Sequence, residues 1–570
     1  MKQKQYKLLL VVLLLLPFVI VAQESVLRLV PYNGQESSFL NAQLIADTTA
    51  NNGIPANRVY ELQRGKLYLS KGLFQVNKQY RLRIRANDST GSRPAILLYP
   101  TGSGATPQNP PGQMFQLNGG DIELKSIVIS GYFEPIDSNI NNLQGGLINT
   151  NGAGSSMYID DCVVTQSNGN HLRTESATLV VKVTNSIFAD MGFLGRSNLG
   201  AGKAIDMREA SCDSLIFVNN TFVNFQDRII RHYNFGNPTA GTGAIGYTLF
   251  DHNTIVNGMS YHGLLSLGDV GKKVIITNNL FIDPNSLGED SSDATRKAEW
   301  ANTGEKYPNG TNRMTWIFSA PNDSTQWVVK NNYYSISDSG QAFINYSSSI
   351  FPGKVLGYGS PLSWHINKRL GADSATAFIK TTNPVVLTKI PKLMTDLCRW
   401  YISPTGGNKL KNTPTSAWVR SLHDFDRKRY QYWNDTLNAT YSTSLPIYTA
   451  DRGLFPIGDL NWYPSKKAQW LVTSVKQIQS VTPNAFSLDQ NYPNPFNPST
   501  TIKYQIPLNG MVSLKVYNLI GQEVASLVND MQTAASYETS FDASKLSSGI
   551  YFYTLRAGNF VETKKMMLLK

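Results

Sequence analysis

One short motif recurs along the chain and restricts what it can fold into. Alternating apolar residues lead to Asn or Asp, then a small residue, then two apolar or aromatic residues. The copies are Ile122-Glu-Leu-Lys-Ser-Ile-Val128, Tyr158-Ile-Asp-Asp-Cys-Val-Val164, Val181-Lys-Val-Thr-Asn-Ser-Ile-Phe188, Ile216-Phe-Val-Asn-Asn-Thr-Phe222, Leu249-Phe-Asp-His-Asn-Thr-Ile255, Ile275-Ile-Thr-Asn-Asn-Leu-Phe281 and Val328-Val-Lys-Asn-Asn-Tyr-Tyr334. Their equivalent polar positions are Lys125, Asp161, Asn185, Asn220, Asn253, Asn279 and Asn332. The tightest spacings are 24 residues (Asp161 to Asn185) and 26 residues (Asn253 to Asn279). Longer intervals hold inserted loops.

Self-similarity at this period means stacked units. Apolar alternation with period two makes each unit a strand. Strands that recur once per coil in one direction predict a right-handed parallel β-helix. Each coil then rises by about 4.8 Å. Asn suits the corner because it tolerates left-handed backbone and its amide can bond copies of itself in neighbouring coils. Asn185, Asn220, Asn253, Asn279 and Asn332 are therefore expected to form a structural ladder, with His252 as a substitute for Asn. A second strand falls between ladder positions at Ala204–Arg208, Arg228–Tyr233, Gly263–Leu267 and Met314–Phe318. Gly65–Leu69 and Leu82–Ala86 read as opening coils. From about Tyr60 to Tyr334 these residues resemble the pectin-lyase-like β-helix superfamily, without a complete catalytic motif of a named lyase family. That resemblance implies acidic polysaccharides as the substrate class.

The texture changes near Val481. Phe486-Ser-Leu-Asp-Gln-Asn-Tyr-Pro-Asn-Pro-Phe-Asn-Pro-Ser-Thr500 is rich in Pro and Asn, which forbids helix and dictates an extended lead-in. Alternating runs follow at Thr501–Ile506, Val512–Tyr517 and Gly549–Leu555, the pattern of a small β-sandwich. Asn491–Pro498, Val516-Tyr-Asn-Leu-Ile-Gly-Gln-Glu-Val524, Ser548–Phe552 and the tail Lys564–Lys570 resemble the successive motifs of the type A sorting domain of type IX secretion. The resemblance implies a Gram-negative host, the type IX machinery as partner, and passage across the outer membrane to release or surface attachment.

The fold expected is all-β, a right-handed parallel β-helix followed by a small C-terminal β-sandwich. Residues 1–22 read as a signal peptide: Lys2, Lys4 and Lys7 precede the apolar run Leu8–Val21, and Ala22 ends an acceptable cleavage site. Residues 23–334 form the β-helix, 335–465 an aromatic, turn-rich closing region, 466–485 a linker and 486–570 the sorting domain. Tyr430–Asp435 and Gly453–Pro464 are the aromatic segments expected to cover the last open coil. The three cysteines, Cys162, Cys212 and Cys398, match no disulfide framework or zinc motif, so packing and hydrogen bonds must supply stability.

Net charge is +12, and removing the three leader lysines leaves +9. That balance suits an acidic polysaccharide or an anionic surface. No Lys/Arg run is dense enough for nucleic acid, and the chain is expected to be monomeric. Elimination on a uronate needs a base for the proton α to the carboxylate, and positive charge or calcium for the developing enolate. Arg228, Arg231 and His232 share one strand, Asp206 and Arg208 lie one coil earlier, Lys203 is nearby and His262 is one coil later. His232 or Lys203 is expected as the base, and Arg208, Arg228, Arg231, His262 and Asp206 as the substrate-binding set. The competing reading makes them ion-paired groups on one face, such as Arg231 with Asp206, on a non-catalytic spacer. The inserts Phe193–Gly202 and Asn234–Gly246 flank the cluster. No metal-ligand motif of His or Cys appears, and a calcium site built from scattered carboxylates stays open.

Overall fold

The middle coils of the chain each lay down one strand in each of three parallel sheets. The computed structural model describes residues 24–99, 113–131, 145–167, 169–192, 202–208, 210–233, 245–260, 264–267, 270–284, 325–350, 370–390, 398–399, 437–473, 476–479, 485–507, 510–532, 535–544, 546–558 and 560–569. The expected signal peptide, Met314–Phe318 and Tyr430–Asp435 lie outside these residues. The first sheet has ten strands, from Ser25–Arg28 to Gln326–Lys330. The second has ten, from Leu67–Ser70 to Phe378–Lys380, and the third has seven, from Phe74–Asn77 to Leu265–Ser266. A representative coil is Cys212–Val218, Thr221–Phe225 and Arg228–Tyr233. The strand pairings between coils are parallel, and away from bulges at Thr150–Gly152, Ser155–Ser156 and Ile245–Tyr247 they keep register, so like residues stack: Ile148, Leu172, Ile205, Ile230 and Leu265 form one interior column of the third sheet. Phe188, Phe217, Phe222 and Phe250 fill the middle of the interior with ring centroids 5.6–6.1 Å apart.

The corner between the first and second sheets uses two adjacent rows with different duties. Ser126, Asp161, Asn185, Asn219, His252, Asn278 and Asn331 all take left-handed backbone, with φ between +50° and +59°. From Asn220 onward the next residue in each coil carries the ladder. Asn220 N and Nδ2 donate to Asn253 Oδ1 at 3.1 and 3.0 Å, Asn253 repeats this toward Asn279, and Asn279 toward Asn332. Ser186 opens the row, accepting from Cys162 N. The ladder expected from sequence is thus corrected at two positions, since His252 takes the left-handed row and leaves the rung to Asn253. Asn185 belongs to the left-handed row, and its amide donates to Asp160 instead. The Asn-Asn doublets supply one residue for each row, and sequence spacing alone does not separate them. A second left-handed row, Gln166, Asp190, Asn224, Asn257 and Asp283, bends the strands of the second sheet. Its mixed residue types gave no repeating signal.

The stack begins earlier than Tyr60. Ser25–Arg28 pairs with Arg58–Leu62, and helix Leu40–Ala50 buries Leu40 and Leu44 against the interior of the first coil. Further along, the outer side of the second sheet is itself apolar: Ala189, Val223, Val256 and Ile282 pack with Leu437, Tyr441, Ile447, Ile457 and Tyr463. Residues 437–463, which include much of the segment Gly453–Pro464 expected to cover the last open coil, therefore seal a flank of the stack, while Leu370, Ala377 and Phe378 of the same closing region pack on the interior at the last coil. Open apolar sheet face demands cover as strongly as an open coil does. No described helix is long and apolar enough to cross a membrane.

The C-terminal sandwich has two four-stranded sheets whose neighbouring strands are antiparallel. Ile502, Tyr504, Val512, Leu514, Val516, Tyr553 and Leu555 form its core. Tyr553 Oη accepts from Asn491 N and donates to Asp489 O, both at 2.8 Å, which ties the Pro-rich lead-in to the sheet. The stretch expected as a linker is structured over much of its length. Pro464–Thr473 is helical, and Lys476–Gln479 pairs with Ala535–Asp542, covering an otherwise open sheet edge.

Candidate functional site

The outer face of the third sheet carries a continuous polar row. Gln75, Gln116, Asn149, Arg173, Asp206 and Arg231 stand in register on successive coils. They alternate with interior residues such as Ile148 and Leu172, so strand periodicity turns them outward. Asn149 is 4% exposed and Asn170 8% exposed. Asn149 Oδ1, Asn170 Oδ1 and Arg173 Nε are buried without a hydrogen-bond partner among the described residues. Buried polar atoms of this kind are normally satisfied by water or ligand.

Beside this row lies a cluster of charges. Lys203 pairs with Arg228 across adjacent strands, and Asp206 with Arg231. Lys203 Nζ is 2.9 Å from Asp227 Oδ2, and Arg228 Nε is 3.1 Å from the same oxygen. Arg231 Nη1 donates to Asp206 Oδ1 at 3.1 Å, while Arg208 Nε and Asn170 Nδ2 approach Asp206 Oδ2 at 3.4 Å. Burial depresses the proton affinity of Lys203, against the pull of Asp227 and Asp206. Gly192 and Gly202 take φ of +107° and +94°, where the chain leaves and re-enters the stack next to Lys203. A Cβ on Gly202 would stand 2.5 Å from Met191 O, so only glycine fits this base of the insert.

The expected site residues divide accordingly. Lys203, Asp206, Arg208, Arg228 and Arg231 come together on two adjacent strands. His232 is fully buried, in register with Met207 of the interior cluster and two residues beyond Ile230. Strand alternation puts it on the interior side, which argues against the role of base for an external polymer. His262 and most of both inserts lie outside the described residues. Sequence reasoning missed Asn149, Asn170, Arg173 and Asp227. The first three occupy third-sheet strands of coils before Ala204, where the second strand had not been traced. Asp227 precedes Arg228 in a bend and carried no periodic signal.

A serine–histidine contact elsewhere does not extend this chemistry. Ser167 Oγ lies 2.8 Å from His171 Nδ1, and His171 Nε2 is 2.9 Å from Ala189 O. Both residues are fully buried, and burial lowers His171 to about 4. The pair is sealed into the corner of the stack. Among the described residues, no group of three or more His, Cys, Asp or Glu is placed to hold a metal ion.

At the other end of the chain, the antiparallel sandwich and its tied lead-in correspond to a recognised unit. No curated protein matches the chain. Residues 490–569 match the family described as the secretion system C-terminal sorting domain, and the protein thereby carries the address for export by type IX secretion to the cell surface or extracellular space.

Proposed function

We propose that the exported β-helix binds an acidic polysaccharide along the outer face of its third sheet. The observation that carries this reading is the in-register row from Gln75 to Arg231, with its buried and unsatisfied Asn149 and Arg173 atoms. Six coils at a rise of about 4.8 Å give a track of about 24 Å along the axis. Amides on this track suit sugar hydroxyls, and guanidinium groups suit carboxylates. The neighbouring cluster contains Lys203, Arg208, Arg228 and Arg231 around Asp206 and Asp227. The two flanking inserts, residues 193–201 and 234–244, contain no Asp or Glu.

Cleavage by elimination is the finer reading, but Lys203, 2% exposed and two residues before the interior Ile205, meets the same alternation objection as His232. Its ammonium shares a buried carboxylate with Arg228, an arrangement that serves charge pairing as well as catalysis. Titration calorimetry of the full chain against a homogalacturonan, an alginate and a neutral glucan tests the binding proposal. The acidic polymers should bind, more weakly as salt rises, and the neutral one should not. Absorbance of an unsaturated product would add the lyase activity. Failure of the folded protein to bind any acidic polymer would leave the β-helix as a spacer.

A further inference from the structure

The outer face of the first sheet changes character along the stack. Toward its start the face is charged, and the charges are matched. Arg81 pairs with Glu123, Arg85 with Glu24 and Glu61, and Lys125 with Asp160. From strand Thr178–Thr184 onward the same face turns apolar. Strand register joins its residues directly: Lys182, Ile216, Leu249, Ile275 and Val328 stand side by side on five successive strands. They alternate with Phe217, Phe250 and Ile276 of the interior, so strand periodicity turns them outward. Tyr247 and Val218 extend the apolar strip into the rows on either side.

The second sheet offers a comparison. Its outward row of Ala189, Val223, Val256 and Ile282 is of the same kind and is buried by residues 437–463. Ile216, Leu249, Ile275 and Val328 are only half-buried and keep their access to water. Contiguous apolar surface left open in this way marks an interaction site. Its border is cationic. Lys182 heads the aliphatic row, Lys273 stands in register with Tyr247, and Lys330 closes the row of Val218. Among the described residues none of these three lysines has a carboxylate partner, unlike the cations nearer the start of the face. The acid in these rows, Asp251, is turned to its own neighbours, with Oδ2 3.0 Å from His252 Nδ1 and Oδ1 accepting from Thr277 Oγ1 at 2.7 Å.

We propose that this half of the first sheet rests on an anionic lipid surface, with the lysines at headgroup phosphates and the aliphatic row against the headgroup–acyl boundary. Lysine stems lie along apolar surface while their ammonium groups reach outward, so one face serves both layers. The unmatched charges favour lipid over protein. A second copy of the face would bring two sets of uncompensated lysines into one interface, where lysine is ordinarily depleted. The sorting domain directs the chain to the cell surface or extracellular space, within reach of lipid headgroups. The inference does not depend on glycan binding, which uses a different sheet. Its test is co-sedimentation of the full chain with vesicles. Vesicles of equal parts phosphatidylglycerol and phosphatidylcholine should carry the protein down, less so as salt rises, and phosphatidylcholine alone should not. Leu249→Ser/Ile275→Ser should weaken binding about tenfold or more. Lys182→Gln/Lys273→Gln, which alters only side chains at the border, should do the same and remove most of the salt dependence. Melting curves establish that both variants are folded. Lys125→Gln, on the charge-matched part of the face, should bind vesicles as the wild type does. Failure of the folded wild-type protein to bind the anionic vesicles, or binding that neither double variant changes, would overturn the proposal. So would a dimer in sedimentation velocity that Leu249→Ser/Ile275→Ser dissolves, since the face would then belong to a second copy.

Discussion

Replacing Asn253 with Leu removes the middle rung of the buried ladder. Asn253 Oδ1 accepts from Asn220 N and Nδ2, and its Nδ2 donates to Phe217 O at 3.0 Å and to Asn279 Oδ1 at 3.0 Å. The residue is fully buried, so water does not replace these four bonds. At about 1 kcal/mol net for each bond, the loss is about 4 kcal/mol, and the stranding of Asn220 N keeps it from being smaller. Leu shares the branched outline of Asn but carries two bulkier methyl groups, so crowding rather than a cavity would add to the loss. Urea unfolding followed by circular dichroism reads the change as a shift in midpoint at constant slope. Lys330→Ala, at an exposed strand position, is the control and should stay within ~0.5 kcal/mol of wild type. An Asn253→Leu midpoint within about 1 kcal/mol of wild type would refute the idea that cross-coil amide bonding holds the corner.

Other outcomes can be tested alongside it. Arg173→Ala should weaken binding of acidic polymers by about 1.5–3 kcal/mol without unfolding the stack, whereas Arg231→Ala should lower stability because it strands the buried Asp206; calorimetry and melting curves separate the two. The flank seal should loosen with rising pH. Burial lifts the Asp459 carboxyl to about 7, against hydrogen bonds from Thr221 and Asn461. At His252, burial alone would lower proton affinity, but Asp251 and Asp451 outweigh it and raise the imidazole to about 9. Both folded values lie above the unfolded ones, so each contribution is whole below the unfolded value and is lost as pH rises to the folded one, from 3.8 to about 7 for Asp459 and from 6.5 to about 9 for His252. Protection of residues 437–463 from hydrogen exchange, corrected for intrinsic rates, should fall over that range, and Asp459→Asn should flatten its lower part. Removing residues 486–570 should abolish surface delivery, as read by cell fractionation.

How much of this was legible in the chain depends on the range of the interaction concerned. The coil repeat was readable because each strand alternates locally and each corner needs a residue that tolerates left-handed backbone. Asn219-Asn220 and Asn278-Asn279 announce that corner in any single copy. The division of labour within each doublet was not readable: whether Asn219 or Asn220 points inward depends on which residue takes the positive φ. For the candidate site, sequence brought Lys203, Asp206, Arg228 and Arg231 together, because one coil of separation is a local quantity in a repeat. It placed His232 with them only by nearness in sequence. Alternation about Ile230 turns His232 to the interior and leaves Arg231 outside.

The sequence by itself determined the strand period, the corner chemistry, the sandwich and the export address, since each is written in a short run of residues. Only the tertiary structure decided that Leu437, Tyr441, Ile457 and Tyr463 lie along the second sheet, where Asp459 reaches Thr221 from 238 residues away. It also decided that Asn149 and Arg173 align with Asp206 and Arg231 as one track. The physical reason is that stacking turns separation along the chain into about 4.8 Å per coil. Which outward residues become neighbours depends on the register of every intervening insert, and no local run of sequence encodes that sum.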